Sequence, residues 1–239
     1  AKYLASKGFA VHAIDYPGFG HSQRDGAKGS MYFPCLVKDW GDDVCGAVTH
    51  FVRDVKARYA PDLKTFIVGP SIGGSTALRS CIAAPHLFDG AVLICPAIQH
   101  EGSPVLKALA PVIATLFPRL SIGEIGDDDI GSKNLANAER IINDKWRSNR
   151  PLLASTGYAL VRQLEFCEAN LHRMKVPFLA IHGKRDLVIP PKGTQKLMDL
   201  AASTDKSVKW YEEGWHDLLF EPEYKEVYAD VAHWIHDRV

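Results

Sequence analysis

Ser71 stands in Gly69-Pro70-Ser71-Ile72-Gly73, a GxSxG string. The string alone is weak, since the glycine and serine content would produce roughly 0.08 such matches by chance. Its neighbours strengthen it. A β-branched apolar run, residues 65–68, leads straight into it, and a run of small and apolar residues, 72–84, leads straight out. A serine on so tight a strand-to-helix turn is exposed to a substrate and its backbone is strained. Gly69 and Gly73 are expected there because a Cβ would collide with the adjoining strand or helix, and Gly74 adds further room. Pro70 sits at the strand end, where a fixed φ and a lost N–H cost little. The bland alternative is a glycine-rich turn with no chemistry. A serine hydroxyl is a poor nucleophile at neutral pH; it needs a base to take its proton and an acid to orient the base.

Other groupings carry less. His233 and His236 lie three apart on the last helix and could touch one metal, but no carboxylate at ligand spacing accompanies them. Asp127-Asp128-Asp129 lacks the alternating oxygens of a calcium loop and reads as a solvated turn or helix start. Cys35, Cys45, Cys81, Cys95 and Cys167 contain no CxxC pair. An odd count on this scale reads as free thiols in a reducing compartment. Neither a metal site nor a cofactor is expected.

Lys+Arg and Asp+Glu are both 28, so the formal charge is zero. That balance lacks the basic excess of a nucleic-acid binder. Hydrophobic residues at 46% and charged residues at 23% suit a globular chain of 239 residues. The longest stretch free of charge, residues 65–78, holds 14 residues, short of the roughly 18–20 of a membrane span. Residue 1 is alanine, and residues 1–7 read as the tail of a helix, so the chain is expected to begin inside a domain.

The elements that must position Ser71 alternate. Strands are expected at residues 9–15, 65–68, 91–95, 178–182 and 207–211, all short apolar runs. Helices are expected at 38–59, 72–84 and about 223–239, from apolar recurrence every three or four residues and from Pro61 and Pro85 as stops. Continuous apolar strands alternating with helices imply a mostly parallel sheet covered on both faces. Residues 98–175 break the rhythm. A connection this long is usually functional, and its apolar start, 105–117 (VLKALAPVIATLF), reads as a helical lid; a purely packing layer is the alternative. The organisation expected is a core of residues 1–97 and 176–239 interrupted by a lid at 98–175.

The strand–turn–helix around Ser71 resembles the nucleophile elbow of serine α/β-hydrolases, where the acid and then the base follow the serine along the chain. On that order the acid is Asp186, in His182-Gly183-Lys184-Arg185-Asp186, just past the carboxyl end of strand 178–182. The base is His216, in Gly214-Trp215-His216-Asp217, after strand 207–211. Asp15-Tyr16-Pro17-Gly18-Phe19-Gly20-His21-Ser22 is similar to the D-x-x-G-x-G-x-S turn of the same enzymes. Gly214 to Glu221 is similar to G-x-H-x-x-L-x-x-E with the spacing one residue shorter. Together these resemble the monoacylglycerol lipase and lysophospholipase-like family, in its plant and algal branch, over essentially the whole chain.

The resemblance implies an α/β-hydrolase fold with Ser71 as nucleophile, Asp186 as acid and His216 as base. It implies that the N–H of Ile72 is one oxyanion donor. The other donor, on a loop after the third strand, would lie upstream of residue 1, as would the first strands; the chain is therefore expected to be a fragment. Pro70 and Ile72 stand where the family usually has His or Gln and Met, which would reshape the acyl pocket. The implied activity is hydrolysis of a small lipid ester, a monoacylglycerol or lysophospholipid, without cofactor. Val105, Leu106, Leu109, Val112, Ile113, Leu116 and Phe117 would hold the acyl chain, and the lid would touch a membrane surface. A cytoplasmic or peripheral location follows. Carboxylesterase activity on phenolic esters, acyl transfer and non-catalytic binding are the rivals.

Overall fold

The computed structural model describes residues 1–17, 22, 36–59, 61–99, 104–122, 131–143 and 152–239. Asp127-Asp128-Asp129, Cys35, and Gly18, Phe19, Gly20 and His21 of the glycine-rich turn lie outside the described residues.

Among the described residues four parallel strands form the sheet: β1 (Phe66–Pro70), β2 (Gly90–Ile94), β3 (Phe178–Gly183) and β4 (Lys206–Tyr211), in the spatial order β1-β2-β3-β4. The helices are α1 (Lys2–Ser6), α2 (Gly46–Tyr59), α3 (Ile72–Ala83), α4 (Pro104–Leu116), α5 (Leu135–Ile142), α6 (Ala154–Asn170), α7 (Lys192–Leu200) and α8 (Tyr224–His236). A π-helical stretch, Trp40–Cys45, leads into α2, and Asp39 caps it by accepting from the N–H groups of Gly41 and Asp42.

The period-two alternation of the central strands explains the layering. Ala91 and Leu93 of β2 and Phe178 and Ala180 of β3 join one core with Leu78, Cys81 and Ile82 of α3, Cys167 of α6 and Leu197 of α7. Val92 and Ile94, with Leu179 and Ile181, join a second core with Val227, Val231, Trp234 and Ile235 of α8. Both faces of the sheet are therefore covered, which is why β2 and β3 read as unbroken apolar runs.

Residues 9–15 do not form the expected strand; they are irregular. Phe9 lies against the α8-side core and His12 stacks on Tyr59, but Ala10, Val11, His12, Ala13 and Asp15 are exposed. A strand, however, exists only through its ladder partner, and among the described residues β1 is the outermost strand on its side.

The 98–175 interval has two characters. α6 is built into the body of the protein. Gln163 is fully buried, accepting from Arg79 of α3 at 2.9 Å and donating to the Ser75 carbonyl at 2.9 Å. Arg79 also lies over the Phe166 ring, 4.2 Å from its centroid. α4, by contrast, carries an exposed apolar face and is continued by residues 118–122, which pair through Ser121 with Leu153 just before α6.

Candidate active site

Ser71 is the pivot between β1 and α3. Its backbone sits at φ +51°, a left-handed conformation that disfavours any residue with a Cβ. Backbone bonds hold it there: the Ser71 N–H donates to Ile94 O at 2.8 Å, and Ser71 O accepts from the N–H groups of Gly74, Ser75 and Ala97 at 2.9, 3.3 and 3.1 Å. Gly69 makes the turn sterically feasible, since a Cβ on it would run into the Gly73 carbonyl and sit 2.8 Å from the Gly74 nitrogen. Gly73 is less constrained than expected: a Cβ there would meet only the Pro70 ring at 3.3 Å and the Tyr16 hydroxyl at 3.5 Å.

Asp186 and His216 arrive from the loops after β3 and β4. The Ser71 hydroxyl donates to His216 Nε2 at 2.9 Å. His216 Nδ1 lies 2.7 Å from Asp186 Oδ2. An ionised carboxylate only accepts, so the imidazole proton is on Nδ1 and Nε2 holds the free lone pair. Three residues 145 and 30 positions apart in sequence thus form one hydrogen-bonded chain. The loops carrying them interlock, with the Arg185 N–H donating to Gly214 O at 3.0 Å.

Asp186 is buried and fully partnered. Its Oδ1 accepts from the N–H groups of Val188 and Ile189 at 2.9 and 2.8 Å. Its Oδ2 accepts from His182 Nε2, at 3.1 Å, as well as from His216. Burial pushes the carboxyl upward, but the bonds from His182, His216 and the Ile189 N–H more than reverse this and hold it well below the usual carboxylate range. His182 is itself fully buried at the end of β3. Its Nε2 faces two acceptors, Asp186 Oδ2 and Ile189 O at 3.0 Å, so that nitrogen carries a proton. Nδ1 lies 2.7 Å from the Thr194 hydroxyl on α7. Sequence reasoning placed His182 in the strand and missed this contact. A histidine closing an otherwise apolar strand, four residues before a candidate acid, was the available signal.

The arrangement can draw a proton from Ser71 while an ionised, rigidly held carboxylate stabilises the imidazolium that results. Ile72 opens α3, where backbone N–H groups lack intrahelical partners, so its N–H is available to a developing oxyanion.

A family model, Hydrolase_4, described as serine aminopeptidase S33, matches residues 1–223. The chain belongs to the Hydrolase_4 family. This Hydrolase_4 chain is 31% identical over 243 residues to the monoglyceride lipase of Homo sapiens, covering 100% of this chain and 77% of that one. It is 29% identical over 243 residues to the monoacylglycerol lipase of Mycolicibacterium smegmatis, covering 98% and 81%. The crystal structure of Paleococcus ferrophilus monoacylglycerol lipase superposes with a TM-score of 0.83 at 23% identity, over 100% of this chain and 87% of that one. The chain is a hydrolase of the α/β-hydrolase fold and resembles monoacylglycerol lipases.

The remaining expected site residues are on α4 and just beyond it. Val105 and Leu106 fall in the helix, but their side chains lie outside the described residues. Leu109, Val112, Leu116 and Phe117 are 49–65% exposed, and Ile113 is half-buried. The geometry gathers Ser71, Asp186, His216 and Ile72 together and leaves Leu109, Val112, Leu116 and Phe117 exposed.

Beside the His216 loop, Glu221 is fully buried and accepts from the Lys133 N–H at 2.8 Å, while the Lys133 ammonium lies 3.4 Å from its second oxygen. The Asp217 N–H donates to Gly131 O at 2.9 Å. Residues 131–133, within the 98–175 interval, therefore brace the loop that carries His216. Among the described residues no helix is long and apolar enough to cross a membrane.

Proposed function

We propose that this chain is a serine esterase that hydrolyses a small lipid ester, a monoacylglycerol or lysophospholipid, through an acyl-enzyme on Ser71. The observation that carries the reading is the hydrogen-bonded chain from Ser71 through His216 to Asp186, at 2.9 and 2.7 Å. Ser71 Oγ attacks the ester carbonyl as His216 Nε2 takes its proton. The oxyanion forms against the Ile72 N–H. His216 then protonates the leaving alcohol, and the acyl group stays on Ser71. Water, deprotonated by the same nitrogen, releases the fatty acid.

The lipid character of the substrate is supported by the human and mycobacterial relatives named above and by α4. That helix has no charged residue besides Lys107. Its exposed Leu109, Val112 and Leu116 would rest against acyl chains or a lipid surface. Residues 98–175 would act as the lid over the carboxyl ends of the strands.

The test is fluorophosphonate labelling with peptide mapping, followed by a panel of monoacylglycerol, lysophospholipid, phenolic ester and aminoacyl amide substrates. Label should fall on Ser71, and Ser71→Ala should lower esterase activity to below roughly 10⁻³ of the original. Label on another residue, or a panel led by the phenolic ester or the amide, would overturn the assignment at the level of site or of substrate respectively.

A further inference from the structure

Cys95 has no part in the reaction above, yet it lies against its centre. It follows β2 directly and is one of two non-glycine residues with positive φ among the described residues, at +43°, the other being Ser71. Its N–H donates to Ile181 O at 2.7 Å, which ties it to β3, the strand that leads to Asp186. The Cys95 Sγ, a carboxylate oxygen of Asp186 and a ring nitrogen of His216 all lie within 4.8 Å of one another. Cys95 is 1% exposed and Asp186 6% exposed. Among the described residues this is the one set of three metal-ligating side chains so gathered.

We propose that Cys95, Asp186 and His216 form an inhibitory site for a thiophilic divalent cation of the Zn²⁺ or Cd²⁺ class. The inhibitory consequence rests on the catalytic reading of Ser71, Asp186 and His216; the binding itself does not. Three arguments carry it. The donor set is one sulfur, one imidazole nitrogen and one carboxylate oxygen, which selects borderline and soft cations over Mg²⁺ or Ca²⁺. Tetrahedral bonds of about 2.0–2.3 Å require the ligand atoms to stand roughly 3.3–3.8 Å apart; the three atoms already lie within 4.8 Å of one another, and the His216 Nδ1–Asp186 Oδ2 pair, at 2.7 Å, must open to admit the cation. Finally, the charges close: a thiolate and a carboxylate cancel a dication, so the loaded site is neutral where burial penalises net charge most.

The exchange balances without any oxidant. The cation displaces the thiol proton to solvent and forms a metal–sulfur bond. On the imidazole, Nδ1 is the nitrogen beside Asp186; it gives its lone pair to the metal, and its proton relocates to Nε2. That relocation is the inhibitory step. Nε2 then donates to Ser71 Oγ, where before it accepted, and the general base is gone. The cation must enter past His216, whose side chain is 9% exposed, so inhibition should develop slowly on preincubation.

The experiment titrates CdCl₂ into the protein while recording the thiolate-to-cadmium charge-transfer absorption, and in parallel measures ester hydrolysis after preincubation with CdCl₂ or ZnCl₂, with and without EDTA. Cys95→Ser and Cys95→Gly are compared, the glycine variant because it accepts positive φ without strain. Cys45→Ser is the control thiol, since Cys45 is buried in the separate Trp40 and Val44 cluster. Expected are a charge-transfer band and EDTA-reversible inhibition in the wild type and in Cys45→Ser. In both Cys95 variants the band should be lost and the inhibition constant weakened about 10–100-fold or more, each rate being normalised to the variant's own metal-free rate. A missing band in the wild type, or equal inhibition constants in wild type and Cys95 variants, overturns the proposal. A chain that shows the band but hydrolyses no ester overturns the proposed function and leaves the metal site standing.

Discussion

His182 and His216 share a single oxygen of Asp186: His182 Nε2 lies 3.1 Å and His216 Nδ1 2.7 Å from the same Oδ2. The hydrogen-bonded chain thus does not end at the carboxylate. It runs from Ser71 through His216 and Asp186 to His182 and the Thr194 hydroxyl. The buried imidazole fixes the rotamer of the acid and supplies part of what keeps it ionised. A structural role and an electrostatic one are joined in one bond.

Removing that bond should weaken turnover more than substrate binding. His182→Leu deletes a donor to a charged, buried acceptor, an interaction worth about 1.5–3 kcal/mol, or roughly 10–100-fold. We expect kcat to fall by that factor with KM little changed, and the pH profile of kcat/KM to move with it. Thr194→Val, which only loosens the orientation of His182, should cost less. A His182→Leu enzyme with wild-type kcat and an unmoved pH profile would reduce His182 to packing.

Asp186 should also leave a signature in stability. Its carboxyl titrates lower in the folded chain than in the unfolded one, so it stabilises the fold above the unfolded value of about 3.9, and that contribution fades as pH falls toward the folded value. Asp186→Asn has no such contribution to lose. The difference in Tm between wild type and Asp186→Asn should be full at pH 7 and shrink on acidification below about pH 4. A difference independent of pH between 7 and 3 would contradict the depressed titration.

The elbow offers a paired comparison. Gly69→Ala drives a methyl group into the Gly73 carbonyl, a backbone atom that cannot step aside, whereas Gly73→Ala meets the edge of the Pro70 ring at 3.3 Å. Gly69→Ala should destabilise by about 1–3 kcal/mol and abolish labelling of Ser71. Gly73→Ala should be the milder of the two in both thermal unfolding and labelling. The reverse order would mean that the strain at Ser71 is relieved on the α3 side.

How much of this was legible beforehand follows from what each signal depends on. β2 and β3 fall within a residue or two of expectation because a strand buried on both faces must be apolar at every position, and Ala91–Ile94 and Phe178–Ile181 are. Residues 9–15 are also largely apolar, but among the described residues no strand pairs with them, and composition does not report a partner. Asp186 and His216 could be singled out because the resemblance gives an acid and then a base after Ser71, and both follow strands of one parallel sheet, whose carboxyl ends share an edge. The contacts of His182 and Cys95 could not, since both depend on how loops fold back across that edge. Likewise Gln163, an ordinary polar residue in the sequence, is fully buried because Arg79 and the Ser75 carbonyl meet it there.

The exposed face of α4 gives a prediction in which stability and activity separate. Leu109, Val112 and Leu116 are 49, 54 and 65% exposed, so their replacement by serine removes little from any core, and the unfolding free energy should change by no more than about 0.5 kcal/mol per substitution. If that face receives acyl chains or a lipid surface, the same triple substitution lowers hydrolysis of long-chain monoacylglycerols while sparing acetyl esters, since each buried methylene of the acyl chain contributes about 0.8 kcal/mol. The loss should grow with chain length and be larger on vesicles or micelles than on dispersed monomers. Equal losses on acetyl and long-chain esters would remove α4 from substrate handling and leave Ser71, Asp186 and His216 serving an ester whose acyl part binds elsewhere.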